Sequence, residues 1–296
     1  MTNDLPQLGV FYGDLTVNRA FVYARLPVPT EQGSWSLVGQ VRGPRCLHAQ
    51  TLPVSSPLVD LGPGPTLLAR ATLTDPCFWS PDLPAIYDVT VNLLRGGEVV
   101  ATAHREIGLR ALGVRGRFLS LESKRWVLRG VSSGSTTARL SREWHEASAA
   151  YIAADPPAVA LAEASQWGAL TVAEVCGTPP AIAARLRELA AFPAVAIALV
   201  RGELPSDFQR ATAAPNLLLA QPIGDRGEHS PRSWADLLWW QTKTPLAAPQ
   251  PLAHTTLPII ACRPITAPLP LPDSRAACDT LQRDLAPYGQ FAGYVV

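Results

Sequence analysis

Two carboxylates and one guanidinium stand where short apolar runs end. Glu174 closes the run from Ala169 to Val175, Glu203 follows Ala196-Ile197-Ala198-Leu199-Val200-Arg201-Gly202, and Arg263 follows Pro258-Ile259-Ile260-Ala261-Cys262. Apolar runs of this length read as buried strands, so Glu174 and Glu203 fall at the ends of neighbouring strands. Two carboxyl groups held ~5 Å apart can divide acid/base and nucleophilic work between them. Arg263 can do neither, because a guanidinium stays protonated. At a partly buried strand end it needs a counter-charge, and Glu203, Glu174 or both are expected to supply it. Glu174 and Glu203 could in principle form such a carboxylate pair, but Glu203 reads first as a surface or salt-bridged glutamate.

The remaining motifs carry less chemistry. Gly130-Val131-Ser132-Ser133-Gly134 fits G-x-S-x-G, but no acid and histidine follow in the order a nucleophile elbow needs. His145, His229 and His254 have no metal-ligand spacing. Cys46, Cys77, Cys176, Cys262 and Cys278 are odd in number and scattered, which predicts free thiols in a reducing compartment rather than disulfides or a zinc site. Trp234, Trp239 and Trp240 have faces on which a sugar could stack, yet tryptophans on a strand are more often core. There is no dinucleotide fingerprint and no phosphate loop. No metal and no cofactor is expected.

The elements that would position these groups fall into two halves. Residues 1–13 read as a leader. From residue 14 to 115 the chain reads as short strands broken by Gly and Pro, the pattern of a β-sandwich. Tyr87, Val89, Val91 and Leu93 alternate with Asp88, Thr90 and Asn92, and Gly96-Gly97 turns the strand back. Pro53 to Pro65 reads as a long loop or a strand-switching crossover. From 116 to 296 strands alternate with helices, which predicts parallel βα units. Strands are expected at 126–131, 149–154, 169–175, 194–200, 216–222, 235–240, 257–262 and 291–296. Helices are expected over 157–167, from a Thr178 cap through Phe192, and from a Ser274 cap through Leu285. Eight strands fit, but this half is shorter than the ~250 residues of an ordinary (β/α)8 barrel, so helices must be short or missing.

Composition closes off several classes of function. The formal net charge is +1, so no basic field points to nucleic acid. No apolar run is long enough to cross a bilayer. Met1-Thr2-Asn3-Asp4 opens without a basic or an apolar signal region, and a cytoplasmic location is expected.

The stretch from Trp79 onward carries a longer pattern: Trp79-Ser80-Pro81-Asp82-Leu83-Pro84-Ala85-Ile86-Tyr87, a hairpin, Gly108-Leu109-Arg110, then Phe118-Leu119-Ser120-Leu121 and Leu128-Arg129-Gly130-Val131. In this order it resembles the junction of glycoside hydrolase family 2, the β-galactosidase and β-glucuronidase group, where an immunoglobulin-like domain meets a catalytic barrel. The resemblance implies an immunoglobulin-like β-sandwich followed by a trimmed TIM (β/α)8 barrel. It also implies that Glu203 stands at the acid/base position, with Gly202 in place of the usual asparagine, and that Arg263 stands where the family's nucleophilic glutamate falls. Ser132-Ser133-Gly134 replaces the family's asparagine and histidine after the first barrel strand. Ile152-Ala153-Ala154-Asp155-Pro156 lacks its arginine and histidine after the second, and Glu174 keeps a family glutamate after the third.

The expectation is a pseudoenzyme with no catalytic residue, Glu203 and Glu174 being vestiges. It would serve as a structural or interaction subunit. Its partner would be another protein or a multi-subunit assembly, soluble or at the cytoplasmic face of a membrane. A residual carbohydrate-binding protein, or a hydrolase with rearranged carboxylates, is the alternative. The association argument rests on the barrel flank. With few helices after strands 5 to 7 and the last strand at the end of the sequence, Leu217, Leu219, Leu237, Trp239 and Ile259 or their neighbours would be left uncovered. The Pro-rich stretches Thr244 to Pro251 and Pro264 to Pro272 would add a rigid docking surface.

Overall fold

The computed structural model describes residues 5–132, 142–224, 230–242, 255–265 and 269–296. The chain divides into two compact units, Met1–Arg110 with Ala191–Pro193, and Ala111–Ala190 with Ala194–Val296.

The first unit is an antiparallel β structure. Its strands are β1 (Gly9–Gly13), β2 (Arg19–Pro27), β3 (Trp35–Arg45), β4 (Val54–Asp60), β5 (Thr66–Thr74), β6 (Ile86–Arg95) and β7 (Glu98–Ile107), in the order β1-β2-β5-β4-β3-β6-β7. Alternation builds the core. Ala20, Val22, Ala24 and Leu26 of β2 pack with Leu67, Ala69, Ala71 and Leu73 of β5 and with Tyr87, Val89, Val91 and Leu93 of β6. The β6–β7 turn uses positive φ at both Gly96 (60°) and Gly97 (91°), which matches the twist of a tight hairpin. The Pro53–Pro65 stretch holds β4, which pairs with β3 over Val54 to Leu58 and with β5 over Val59 and Asp60, so it is the crossover. The leader is shorter than expected. Gly9–Gly13 pairs antiparallel with Gly13↔Phe21 to Gly9↔Arg25 register, because Val10 and Tyr12 gain a place in the core.

Within this unit the Trp79 stretch is a knot of backbone bonds. Trp79 N–H donates to the Leu109 carbonyl at 2.8 Å, and the Tyr87 hydroxyl accepts from Cys77 N–H at 2.8 Å. Gly108 has no room for a side chain: an added Cβ would lie 2.7 Å from Pro193 Cβ and 2.9 Å from Trp79 Cβ. Buried Arg110 donates to the main-chain oxygens of Phe192 and Pro193, which satisfies a charge that burial otherwise disfavours.

The second unit opens with a three-stranded antiparallel sheet, β8 (Leu112–Arg115), β9 (Phe118–Leu121) and β10 (Lys124–Trp126), in the order β10-β9-β8. A closed parallel barrel follows: β11 (Leu128–Ser132), β12 (Ala150–Ala154), β13 (Thr171–Cys176), β14 (Val195–Arg201), β15 (Leu218–Ile223), β16 (Leu237–Gln241), β17 (Ile259–Cys262) and β18 (Gly293–Val295). Its helices are α1 (Arg142–Glu146), α2 (Ala158–Trp167), α3 (Pro179–Leu189), α4 (Arg210–Ala213) and α5 (Leu271–Leu285). Between β15 and β16 no helix occurs among the described residues. The interior is filled: a Cβ on Gly130 would meet Val295 Cγ2 at 2.8 Å and Ile152 Cδ1 at 2.9 Å.

Helix α3 starts at Pro179 with Thr178 at its N-cap, as expected, although the Thr178 side chain makes no cap hydrogen bond; the start of α5 differs. Helix α5 starts at Leu271, not after Ser274, because Pro272 fits a first turn whose N–H groups are unpaired anyway. Ser274 is then buried in that turn, donating to the Leu269 carbonyl at 3.3 Å.

The uncovered flank is also overturned. Leu217, Leu219, Leu237, Trp239 and Ile259 are all no more than 3% exposed. Part of the reason is α5. Cys278, Leu281 and Leu285 of this helix, expected from a Ser274 cap through Leu285, share one buried cluster with Leu238 and Trp240 of β16 and with Ile259 and Ala261 of β17. Leu237 and Trp239, of opposite parity to Leu238 and Trp240, point into the barrel. The stretch Thr244 to Pro251 lies outside the described residues, as do 266–268.

Candidate functional site

Strand parity decides which side chains reach the mouth of the barrel. An added Cβ on Gly202 would lie 2.8 Å from Ile182 Cδ1 of α3, so position 202 faces the helix layer. Arg201 therefore faces inward, as does Leu199 two residues before it. The β13–β14 register sets Glu174 opposite Leu199 and Cys176 opposite Arg201, which puts all four on the inner side. The Arg201 guanidinium grips the Glu174 carboxylate with Nε–Oε2 at 2.8 Å and Nη2–Oε1 at 3.1 Å. That fork holds the guanidinium pKa above its ordinary value, the hydrogen bonds to Glu174 being the largest cause.

Cys262 lies on the inner face of β17. Burial, then the Glu174 charge, pushes its thiol up to about 12, while a hydrogen bond to Trp239 acts the other way. The thiol is therefore an inert wall of the site. Gln241 stands opposite Cys262 in register on β16. Ser132 ends β11 and is exposed, with its N–H bonded to the Val296 carbonyl at 2.7 Å.

Glu203 lies just beyond β14 and is not part of this cluster. Its side chain is 65% exposed and is held by Arg232, with Nη2–Oε1 at 2.7 Å. The hydrogen bond to Arg232 holds its carboxyl below the usual carboxylate range. Arg232 is positioned in turn by Gln221, whose Oε1 accepts the Arg232 N–H at 2.8 Å.

Arg263 pairs with neither glutamate. Its Nη1 lies 2.7 Å from Asp284 Oδ2, on the last turn of α5. Parity explains the correction: Ile259 and Ala261 pack toward α5 and Cys262 inward, so the next residue again faces the helix. The counter-charge expected from the strand ends comes from the helix ring instead.

Residues 47–110 match the family model "Glycosyl hydrolases family 2". No curated protein matches the chain. Among solved structures, the β-glucuronidase of Bacteroides uniformis superposes with a TM-score of 0.62 at 13% identity, over 97% of this chain and 44% of that one. An FMN-binding β-glucuronidase from Facaelibacterium prausnitzii L2-6 gives 0.63 at 12% identity, over 98% and 55%. A glycosyl hydrolase family 2 member from Bacteroides cellulosilyticus gives 0.62 at 14%, over 99% and 44%. The chain has the fold of a family 2 glycosyl hydrolase. It spans about half the length of these structures.

In this family 2 fold the cations Arg201 and Arg232 are the residues that sequence reasoning missed. The signal for Arg201 was present: it shares inward parity with Leu199 on the strand next to Glu174. Arg232 sits in a connection whose path no periodicity reveals. Trp239 and Trp240 are core, the first inside the barrel and the second stacked on Phe291 at 5.8 Å, whereas Trp234 is half-buried. His229, His254, Ser133 and Gly134 lie outside the described residues. Among the described residues no group of His, Cys, Asp and Glu could hold a metal ion.

Proposed function

We propose that this chain is a non-catalytic relative of the family 2 glycosidases, a pseudoenzyme serving as a structural or interaction subunit of a larger assembly. One observation carries the reading. Glu203, at the position resembling the acid/base, is exposed and ion-paired with Arg232, which lowers its pKa. A glycosidase acid must hold a proton near neutral pH, so its pKa is raised by its surroundings. The second carboxylate, Glu174, is occupied by both arms of Arg201. The position resembling the nucleophile is Arg263, turned toward α5. Acid/base and nucleophile are thus both lost.

All five cysteines are free, which supports a reducing, cytoplasmic setting. No helix among the described residues is long and apolar enough to cross a membrane. A residual carbohydrate-binding role is the second reading, favoured by the polar groups Ser132, Arg201 and Gln241 around the mouth. The test is an assay over aryl β-glycosides, glucuronides and galactosides included. The expected result is no turnover above blank; turnover abolished by Glu203→Gln would overturn the proposal.

A further inference from the structure

The outward face of β1, β2 and β5 in the first unit carries an arrangement that the core does not require. Along β2 the outward residues are Arg19, Phe21, Tyr23 and Arg25. Register places Phe11 of β1 and Arg70 of β5 on either side of Tyr23. Phe11 and Tyr23 stack with centroids 5.2 Å apart, and Phe21 meets Tyr23 edge-on at 6.2 Å. Arg19 and Arg70 both lie over the Phe21 ring, at 4.8 and 4.6 Å from its centroid, and Arg25 lies 5.1 Å from that of Phe11. No acidic residue holds an outward position on these three strands; Asp14 and Asp75 lie in turns beyond their ends. Neither Arg19 nor Arg70 has a carboxylate partner among the described residues. Two like charges are thus drawn to one ring, on a chain whose formal net charge is only +1.

The geometry points to a docking surface for a carboxylated polysaccharide, a linear polyuronate. Charge complementarity requires a polyanion. The planar guanidinium fork matches a planar carboxylate through two parallel hydrogen bonds. Arg19 and Arg25 are six residues apart on one strand, roughly 20 Å at ~3.3 Å per residue, so the acidic groups must recur along an extended chain. The ring faces are already covered, Phe21 and Phe11 by guanidiniums and Tyr23 by Phe11, which leaves no open platform on which nucleobases would stack. An extended acidic peptide takes its backbone bonds from a sheet edge, here β1, and so would not run along the guanidiniums that β2 and β5 present on the face. The exposed hydroxyls of Thr72 and Thr74 suit the hydroxyls of a sugar chain. The inference goes beyond the barrel's lost chemistry and is independent of the glycosidase assay.

The experiment is calorimetric titration of the full chain with an oligogalacturonate, at low and at high salt, with a neutral dextran fragment of equal length as control. Binding is expected to the oligogalacturonate, to weaken with salt and to be absent for dextran. Arg19→Gln with Arg70→Gln should weaken it at least about tenfold, the loss expected when two charge-assisted contacts go. Lysine at both positions should restore only part. Both residues are exposed, so the fold should survive, as thermal melting would verify; should the double variant fail to fold, Arg70→Gln alone decides. Absence of binding by the wild type, equal binding by the glutamine variants, or equal binding of dextran would overturn the proposal. Tighter binding of a sulfated heparin fragment or of single-stranded DNA would overturn the carboxylate assignment.

Discussion

Arg201 holds Glu174 with both arms of its guanidinium, across the neighbouring strands β14 and β13, at the point where an open barrel would present a free carboxylate. Glu174 is thereby engaged in a two-pronged ion pair. The pair is partly exposed, at 37% and 26% of side-chain surface, so its net contribution to stability is modest, about 1 kcal/mol. Arg201→Met is expected to lower stability by no more than that in denaturant titration and to leave the secondary structure intact.

Thiol behaviour reads the same site from the other side. Cys262 is buried, with its thiol pushed up to about 12, and Cys278 is buried with its thiol at about 11, whereas Cys176 is exposed. A thiol reagent at pH 8 should label Cys176 and leave Cys262 and Cys278 until the protein unfolds. Because the folded pKa of Cys262 is raised above its ordinary 9.0, the folded state keeps the proton longer than the unfolded chain does. Stability is therefore full below pH 9 and falls as pH rises toward the folded value. Cys262→Ala should make the fall in Tm above pH 9 shallower.

At acid pH the sign is reversed. Arg129 and Arg275 hold Asp279 below its ordinary 3.8, and Arg232 holds Glu203 below 4.5. The stabilisation is present above those ordinary values and is lost as pH falls through the lowered ones. Thermal melting should give a Tm that is flat near neutrality and drops below about pH 4, with a smaller drop in Asp279→Asn.

Much of the architecture was legible in the sequence. All eight barrel strands lie within a few residues of where apolar runs and helix patterns place them, because strands buried on both faces leave near-continuous apolar sequence. The side-chain partners were not legible. The fate of Arg263 depends on where Asp284 of α5 comes to lie, a tertiary fact that no local period encodes. Likewise Gly9–Gly13 is too short and glycine-flanked to announce a strand, and only its pairing with β2 makes it one.

Helix α5 contributes Cys278, Leu281 and Leu285 to the buried cluster on this flank, and it should be costly to damage. Leu281, 1% exposed in the cluster with Leu238, Trp240 and Ile259, loses a packed side chain in Leu281→Ala. A destabilisation of about 2–5 kcal/mol is expected in denaturant titration. An effect near zero would show that this flank is covered in some other way.

The central claim is that the barrel has lost the ability to form a glycosyl-enzyme bond. The most direct measurement is intact-mass spectrometry after incubation with activated 2-deoxy-2-fluoro aryl β-glycosides, which trap that bond when a nucleophile exists. The account predicts an unmodified mass under conditions that fully label an active family 2 enzyme. A stoichiometric glycosyl adduct mapped to Glu174 or Glu203 would contradict it.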